Sequence, residues 1–95
     1  MKSIIKEDEK GVCFICGRYG PTEVHHIFNA ANRKLSEKYG LKVHLCHDCH
    51  NEPPYGVHFN RRSEKWLKAE GQKEAMRYYG WSVEEFIEIF GRNYL

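Results

Sequence analysis

Two pairs of cysteines, each with two residues between its members, constrain this chain more than any other feature of its sequence. The first pair is Cys13 and Cys16, and the second is Cys46 and Cys49. Two intervening residues let both sulfurs of a pair face one ion, and two such pairs complete the tetrahedral four-sulfur site that zinc prefers. A closed site of this kind stabilises a fold and leaves no open position for catalysis. We therefore predict a structural zinc ion held by the four cysteines.

The length of the chain makes such a site useful. With 95 residues, it is expected to form one domain with a thin hydrophobic core, and scaffolds of this size often need a metal or a disulfide. The opening residues lack the apolar run of a signal peptide, and no apolar run is long enough to span a membrane. We therefore expect a cytoplasmic protein, in which paired cysteines favour metal over disulfides. A thiol redox role for one pair is a weaker alternative, because it leaves the other pair unexplained.

The segment between the cysteine pairs is predicted to contain both strands. Its 29 residues exceed the 15–20 of a simple zinc ribbon, so additional structure must be inserted there. Residues 22–28 are β-branched and aromatic, and residues 41–45 alternate between apolar and polar, so each segment is predicted to be a strand. Asn32 is positioned to cap a short helix that Gly40 would end.

The rest of the chain is predicted to be helical. Apolar residues at positions 59, 66, 69, 76 and 79 keep helical spacing, and Ser82 and Glu85 have the spacing of a capping box before a final helix that ends at Gly91. The sequence thus predicts an α+β fold: a flexible segment over residues 1–10, followed by a single domain over residues 11–95. Residues 11–60 of that domain carry the cysteines and strands, and residues 61–95 form its helical part.

The histidines indicate a second metal site. The run EVHHI at residues 23–27 places His25 and His26 at the end of a strand, where alternation directs them to opposite faces. His50 directly follows the last cysteine, which would hold it in place. We predict an open metal site built from His25 and His50, with His58 as a further ligand or a phosphate donor.

Together these motifs resemble those of a known enzyme family. The order Cys-x-x-Cys, then EVHHI, then Leu-Cys-x-x-Cys-His-Asn is similar to that of the HNH endonucleases, which belong to the His-Me finger (ββα-metal) nucleases and cut nucleic-acid phosphodiesters. The resemblance covers roughly residues 13–60. The run HHIFNAANRKLSEKYGLKVHLC, with GVHFN after it, is most similar to short HNH proteins of bacteriophages and prophages, including relatives of the phage recombination-enhancing nuclease Ref.

The resemblance implies a ββα-metal core and specific roles for three histidines. His25 and His50 would ligate a single catalytic ion, Mg²⁺ or Mn²⁺, and His26 would be the general base that activates water. Imidazole ligands also suit Zn²⁺ or Ni²⁺. The products would carry 5′ phosphate and 3′ hydroxyl ends. Leu41 falls near the position of the family's middle asparagine, so either His44 or another group would orient His26, or the site would be built differently.

The expected partner is DNA, with RNA as the second possibility. A net charge of +2 and a pI near 8.4 are modest for a nucleic-acid-binding domain, so the prediction depends on individual side chains. We expect Arg33, Lys34, Arg61 and Arg62 to bind phosphates, because arginine matches phosphate oxygens in a bidentate way. The protein is expected to be a monomer or homodimer that acts with phage recombination or packaging proteins in a bacterial cytoplasm, without membrane contact.

The alternative is a non-catalytic treble-clef zinc module that binds DNA or a protein. Such a module would keep the four cysteines, and His25, His26 and His50 would be surface groups or groups that support the zinc ligands. The adjacent histidines favour the nuclease, because a binding module has no need of a metal ligand beside a base.

Overall fold

The chain folds around a small antiparallel sheet of two strands. The computed structural model describes residues 1–95. Strands β1 (Glu23–His26) and β2 (Lys42–Leu45) pair with His25 opposite Val43. The four helices are α1 (Arg33–Tyr39), α2 (His47–Asn51), α3 (Arg61–Tyr79) and α4 (Val83–Phe90). The prediction of a small α+β fold is confirmed, and none of the helices combines the length and apolar character needed to cross a membrane.

Two of the predicted signals at helix ends are present, a third is absent, and one short helix was not predicted. Ser82 and Glu85 form both hydrogen bonds of a capping box at the start of α4, and Gly40 ends α1 in the left-handed conformation. Asn32 occupies the N-cap position of α1, but its side chain does not cap the helix and instead donates to the Phe90 carbonyl at 3.0 Å. The sequence patterns did not indicate α2, whose five residues are too few for a periodic signal.

Helix α3 packs closely against the residues that follow β1. Its buried residues are Leu67, Gly71, Gln72 and Ala75. A Cβ atom added at Gly71 would lie 2.9 Å from Cγ2 of Ile27, so the helix approaches the sheet where it has no side chain. By contrast, Phe59 and Trp66, which keep helical spacing in the sequence, are about half exposed.

The segment after α4 is anchored to α3 by one buried amide. The side chain of Gln72 is fully buried, and its Nε2 donates to Oδ1 of Asn93 at 2.8 Å. Its Oε1 accepts from the backbone N–H of Tyr94 at 2.6 Å. The ring of Tyr94 also packs against Phe28, with centroids 5.0 Å apart. The segment that follows α4 is therefore part of the packed domain.

The structure differs from the expectation of a flexible segment over residues 1–10. Ile4 and Ile5 are buried in the core, and the Ile4 N–H donates to the Gly40 carbonyl at 2.9 Å. The Ser3 hydroxyl donates to the Lys42 carbonyl, and Asp8 Oδ1 accepts from the backbone N–H of His44 at 2.6 Å. These contacts place the N-terminal segment along the edge of β2 that faces away from β1. The physical reason is the apolar pair at positions 4 and 5, which is buried despite its charged neighbours.

Candidate metal centres

The four cysteines predicted to bind zinc come together. Their sulfur atoms all lie within 4.8 Å of one another, and the Sγ atoms of Cys16 and Cys46 are 3.8 Å apart. A tetrahedral site with metal–sulfur bonds of about 2.3 Å requires sulfur–sulfur distances of about 3.8 Å. The cluster could therefore hold a metal such as zinc, with the ligands that the sequence predicts.

Backbone hydrogen bonds bring the two cysteine pairs to the same place. In the first pair, the Gly17 N–H donates to the Cys13 carbonyl at 2.8 Å, and Gly17 has a φ of +76° that favours glycine. The second pair lies at the start of α2, where Cys46 is the N-cap residue. The Phe14 N–H donates to the His44 carbonyl at 2.8 Å and so ties the first pair to β2, which leads directly into the second.

The environment of the thiols suits a cation. Burial alone would raise the pKa of Cys13, but backbone N–H groups of Cys16, Cys46 and Ile15 lower it to about 7. Burial and the neighbouring thiols raise the pKa of Cys49. Four thiolates this close would repel one another strongly in the absence of a positive charge, so full ionisation of the cluster requires a bound metal ion.

Three histidines form a second cluster. His25 comes from β1, His50 from α2 and His58 from the loop before α3, and one ring nitrogen of each lies within 4.8 Å of the others. The Nε2 atoms of His50 and His58 are 3.1 Å apart. For metal–nitrogen bonds of about 2.1 Å, adjacent ligand nitrogens lie roughly 3.0 to 3.4 Å apart. The pair formed by His50 and His58 has this spacing, so the cluster could hold a divalent ion. The predicted grouping of His25 with His50, together with His58, is observed.

Glu23 orients His50 within this cluster. It lies two residues before His25, on the same side of β1, and its Oε1 is 2.8 Å from Nδ1 of His50. Contacts with His50 and His47 hold the pKa of Glu23 below its usual value. When Nδ1–H of His50 donates to this carboxylate, the Nε2 lone pair is left free for a metal, an arrangement common among metal-bound histidines.

The local chain path brings His58 beside His50. The Val57 N–H donates to the Cys49 carbonyl at 2.8 Å, which returns the chain to α2. This return requires a glycine at position 56, because an added Cβ would lie 2.7 Å from the backbone nitrogen of Glu52.

The cluster is buried at one end and open at the other. His25 is 4% exposed, whereas His58 is exposed. Burial, together with the neighbouring imidazoles of His50 and His58, lowers the pKa of His25 to about 3. His25 is thus neutral at physiological pH, as a metal ligand must be, and the exposed side leaves room for oxygen ligands.

His26, the predicted general base, is not part of this cluster. Its Nε2 lies 3.0 Å from Oε1 of Glu37 in α1. Glu37 also contacts Lys42 at 2.7 Å and the N-terminal amine of Met1 at 3.1 Å. Lys42, His26 and that amine together hold the pKa of the Glu37 carboxyl well below its usual range.

The group that contacts His26 is therefore Glu37 and not His44. His44 binds Asp8 instead, with 2.7 Å between its Nδ1 and Oδ2 of the buried carboxylate. Leu41, near the position of the family's middle asparagine, is fully buried and apolar. Sequence reasoning missed the roles of Glu23, Glu37 and Asp8. Only Glu23 carried a signal, since it lies in the same strand motif as His25.

The predicted phosphate-binding residues lie on two helices. Arg33 and Lys34 are exposed at the start of α1, and Arg61 and Arg62 are exposed at the start of α3. None of the four forms an ion pair with an acidic residue. Their charges are therefore available to a ligand.

No protein-family model, curated protein or solved structure matched this chain. The chemistry of the two clusters and of the surface around them is consequently the basis for a functional conclusion.

Proposed function

We propose that this protein is a metal-dependent endonuclease that hydrolyses phosphodiester bonds in DNA. In this proposal the four cysteines bind a structural zinc ion, and β1, β2 and α2 form a ββα-metal core. The observation that carries the proposal is the cluster of His25, His50 and His58. It is separate from the four cysteines, it has a side open to solvent, and the Nε2 atoms of His50 and His58 are spaced like two ligands of one ion.

The three histidines would hold the catalytic ion, with Glu23 fixing the ring of His50 through its Nδ1. A bound Mg²⁺ or Mn²⁺, or a Zn²⁺ or Ni²⁺ ion to which imidazoles are also suited, would stabilise charge on the phosphate and the leaving oxygen. The burial of His25 keeps its imidazole neutral and shields it from solvent on the inner side of the site. The exposed His58 marks the side from which a phosphate can approach.

In the proposed mechanism His26 accepts the proton of the attacking water. Glu37 contacts Nε2 of His26, so Nδ1 is the ring nitrogen free to take that proton, and the carboxylate stabilises the resulting imidazolium. The water oxygen bonds to phosphorus while the bond to the 3′ oxygen breaks, which yields 5′ phosphate and 3′ hydroxyl ends. Alternation along β1 directs the side chains of His25 and His26 to opposite faces, so the mechanism requires the attacking water to reach His26 at the end of β1, which stops at this residue.

The position of the histidine cluster suits a polymeric substrate. The surface of the molecule has three clefts, and none of them is lined by His25, His50 or His58. Small-molecule sites generally enclose most of their ligand in a concave pocket. An extended strand, in contrast, can be cut at a surface site, because its contacts are spread over many positions.

A second candidate function is a non-catalytic zinc module that binds DNA or a protein. The observation in its favour is the contact of His26 with Glu37 rather than with the histidine cluster. In such a module this contact would join β1 to α1 and have no chemical role.

Cutting of plasmid DNA in Mg²⁺ or Mn²⁺ tests the two functions against each other. We expect the parent protein to nick the plasmid and His26→Ala to lower the rate by about 10²–10⁴-fold, since this is the usual contribution of a general base. The bound zinc and the circular dichroism spectrum should be unchanged. Tyr78→Ala is the control, because Tyr78 is an exposed aromatic residue of α3 outside the cluster; it should cut like the parent.

Two results would contradict the proposal in different ways. A parent protein that cuts with neither Mg²⁺ nor Mn²⁺, nor with added Zn²⁺ or Ni²⁺, would favour the binding module. Cutting by His26→Ala at the parent rate would remove His26 from the mechanism.

A further inference from the structure

We propose that a basic cleft between α3 and the segment after α4 binds the sugar–phosphate backbone of DNA beside the histidine cluster. The inference rests on the proposed nuclease function for the identity of its substrate. It adds Lys65 and Arg92 to the DNA-binding surface, neither of which the sequence motifs indicate.

The cleft has a volume of about 620 Å³, and two separate parts of the chain form its walls. The first half of α3 forms one wall, and residues 92–95 form the other. Glu64 is the only acidic side chain that lines it. The basic side chains that line it are Arg61, Arg62, Lys65, Lys68 and Arg92.

Most of this positive charge has no partner within the protein. Lys68 pairs with Glu64 at 2.8 Å, but the other four basic side chains of the cleft form no ion pair. The second half of α3 is different, because Lys73 pairs with Glu70 and Arg77 pairs with Glu74. Uncompensated charge on this helix is therefore concentrated in the cleft, where it can attract an anion.

Both walls of the cleft are fixed. Gln72 binds Asn93 and the backbone of Tyr94 from within the core. The Tyr94 ring lies against two cations of the cleft, with Nζ of Lys68 at 5.6 Å and the guanidinium carbon of Arg92 at 5.1 Å from its centroid. These contacts hold Arg92 opposite α3, so the charges on the two walls are organised before any ligand binds.

The cleft begins close to the histidine cluster along the chain. Asn60 caps α3, with its side chain accepting from the Ser63 N–H at 3.0 Å, and His58 is only three residues before Arg61. Consecutive Cα atoms are 3.8 Å apart, so His58 and Arg61 are separated by at most about 11 Å. A strand with one phosphate at the histidines would therefore reach the cleft within a few nucleotides.

The spacing of the charges favours a backbone over a single anion. From Arg61 to Lys68 the helix rises about 10 Å, which equals about three nucleotides at 3.4 Å per step of a DNA strand. A lone phosphate would neutralise one or two of these side chains, whereas a nucleic-acid strand presents a charge at every nucleotide.

DNA binding by matched double variants tests the inference. The cleft variant is Lys65→Gln with Arg92→Gln, and the control is Lys73→Gln with Arg77→Gln, which removes the same charge from the far half of α3. Binding of a fluorescent 20-nucleotide DNA is measured by anisotropy, without added divalent ions, over a range of salt concentrations. We expect the cleft variant to bind about tenfold or more weakly at 0.1 M salt, with a salt slope reduced by about 1.4 to 1.8, and the control to bind like the parent.

The outcomes separate this inference from the nuclease proposal. Equal DNA binding by the cleft variant and the control would overturn the inference, as would competition by polyglutamate as effective as that by DNA at equal charge. A protein that never cuts, but loses DNA binding only in the cleft variant, would contradict the nuclease and support the cleft. A protein that cuts, and whose cleft variant binds and cuts like the parent, would contradict the cleft alone.

Discussion

Glu37 is the side chain on which the proposed chemistry of His26 most depends. It lies in α1 and contacts His26, Lys42 and the amine of Met1 through its two carboxylate oxygens. The positive partners keep the carboxyl ionised, because they lower its pKa. An ionised Glu37 can hold the ring of His26 in one orientation and stabilise it once the proton of water has arrived.

Substitution of Glu37→Gln should therefore slow cutting without unfolding the protein. We expect kcat to fall by about 10–100-fold, as for other groups that orient a reacting histidine, with KM nearly unchanged because DNA binding does not involve this contact. Steady-state nicking kinetics measure both quantities.

Glu74→Gln is the control for this substitution, since Glu74 is another glutamate in an ion pair, with Arg77 on α3. Nicking by Glu37→Gln at the parent rate would show that the contact with His26 has no catalytic role.

At the scale of single residues, the sequence predicts the members of the two clusters better than the acidic groups that contact the histidines. The members of the clusters are recognisable from residues close together in the sequence. These are the spacing of the cysteines and the positions of His25 and His50 next to the strand and cysteine motifs. The contact of Glu23 with His50 joins residues 27 positions apart, and that of Glu37 with His26 joins residues 11 positions apart. Each depends on how the strands and helices pack, which no short motif records.

Helix α3 depends on the absence of a side chain at Gly71. Glycine costs about 1 kcal/mol relative to alanine within a helix, and from the sequence alone it weakens the prediction of a helix here. In the structure the same residue allows α3 to lie against Ile27 and Phe28, which an added Cβ would approach to 2.9 and 3.2 Å.

We expect Gly71→Ala to destabilise the protein in spite of its better helix propensity. Overpacking of a core costs typically about 1–3 kcal/mol, which equals or exceeds the gain of about 1 kcal/mol from the helix. Urea unfolding of the zinc-loaded protein gives the difference.

Lys73→Ala, at an exposed position of the same helix, should change stability by less than about 0.5 kcal/mol. A clear increase in stability for Gly71→Ala would show that the helix and the sheet can separate at no cost.

The existence of α3 and α4 was predictable, but the buried face of α3 was not. The capping box of Ser82 and Glu85 is a local signal, and it is present as predicted. The apolar residues of α3 suggest a face that includes Trp66, yet the helix buries Gly71 and Gln72 instead. A buried glutamine is favourable here because residues 93 and 94 satisfy its amide, and that partnership forms only in the folded chain.

On the scale of the whole molecule, the cysteine cluster and the histidine cluster share one short helix. Cys49 and His50 are consecutive residues of α2, and the first cysteine pair reaches this helix only through β2. The position of His50 therefore depends on whatever holds the four sulfurs together.

Removal of zinc should unfold the domain and abolish the histidine cluster with it. Structural zinc sites contribute about 10–16 kcal/mol in apparent binding free energy, whereas a domain is typically stable by only about 5–15 kcal/mol. We expect about one tightly bound zinc per chain and a loss of helical circular dichroism when a strong chelator removes it. His58→Ala, which leaves the cysteines intact, should keep both its zinc and its fold. A protein that stays folded without zinc would contradict a structural role for the cysteine cluster.

The N-terminal segment has a consequence for how this protein can associate. The edge of a sheet normally presents unpaired backbone groups that another chain can use to add a strand. Along β2 these groups are already taken: the carbonyls of Gly40, Lys42 and His44 accept from residues 4, 3 and 14, and the His44 N–H binds Asp8. A second copy or an extended peptide could join this edge only after displacing residues 3–8 and the N–H of Phe14, so the fold protects itself there against edge-to-edge aggregation.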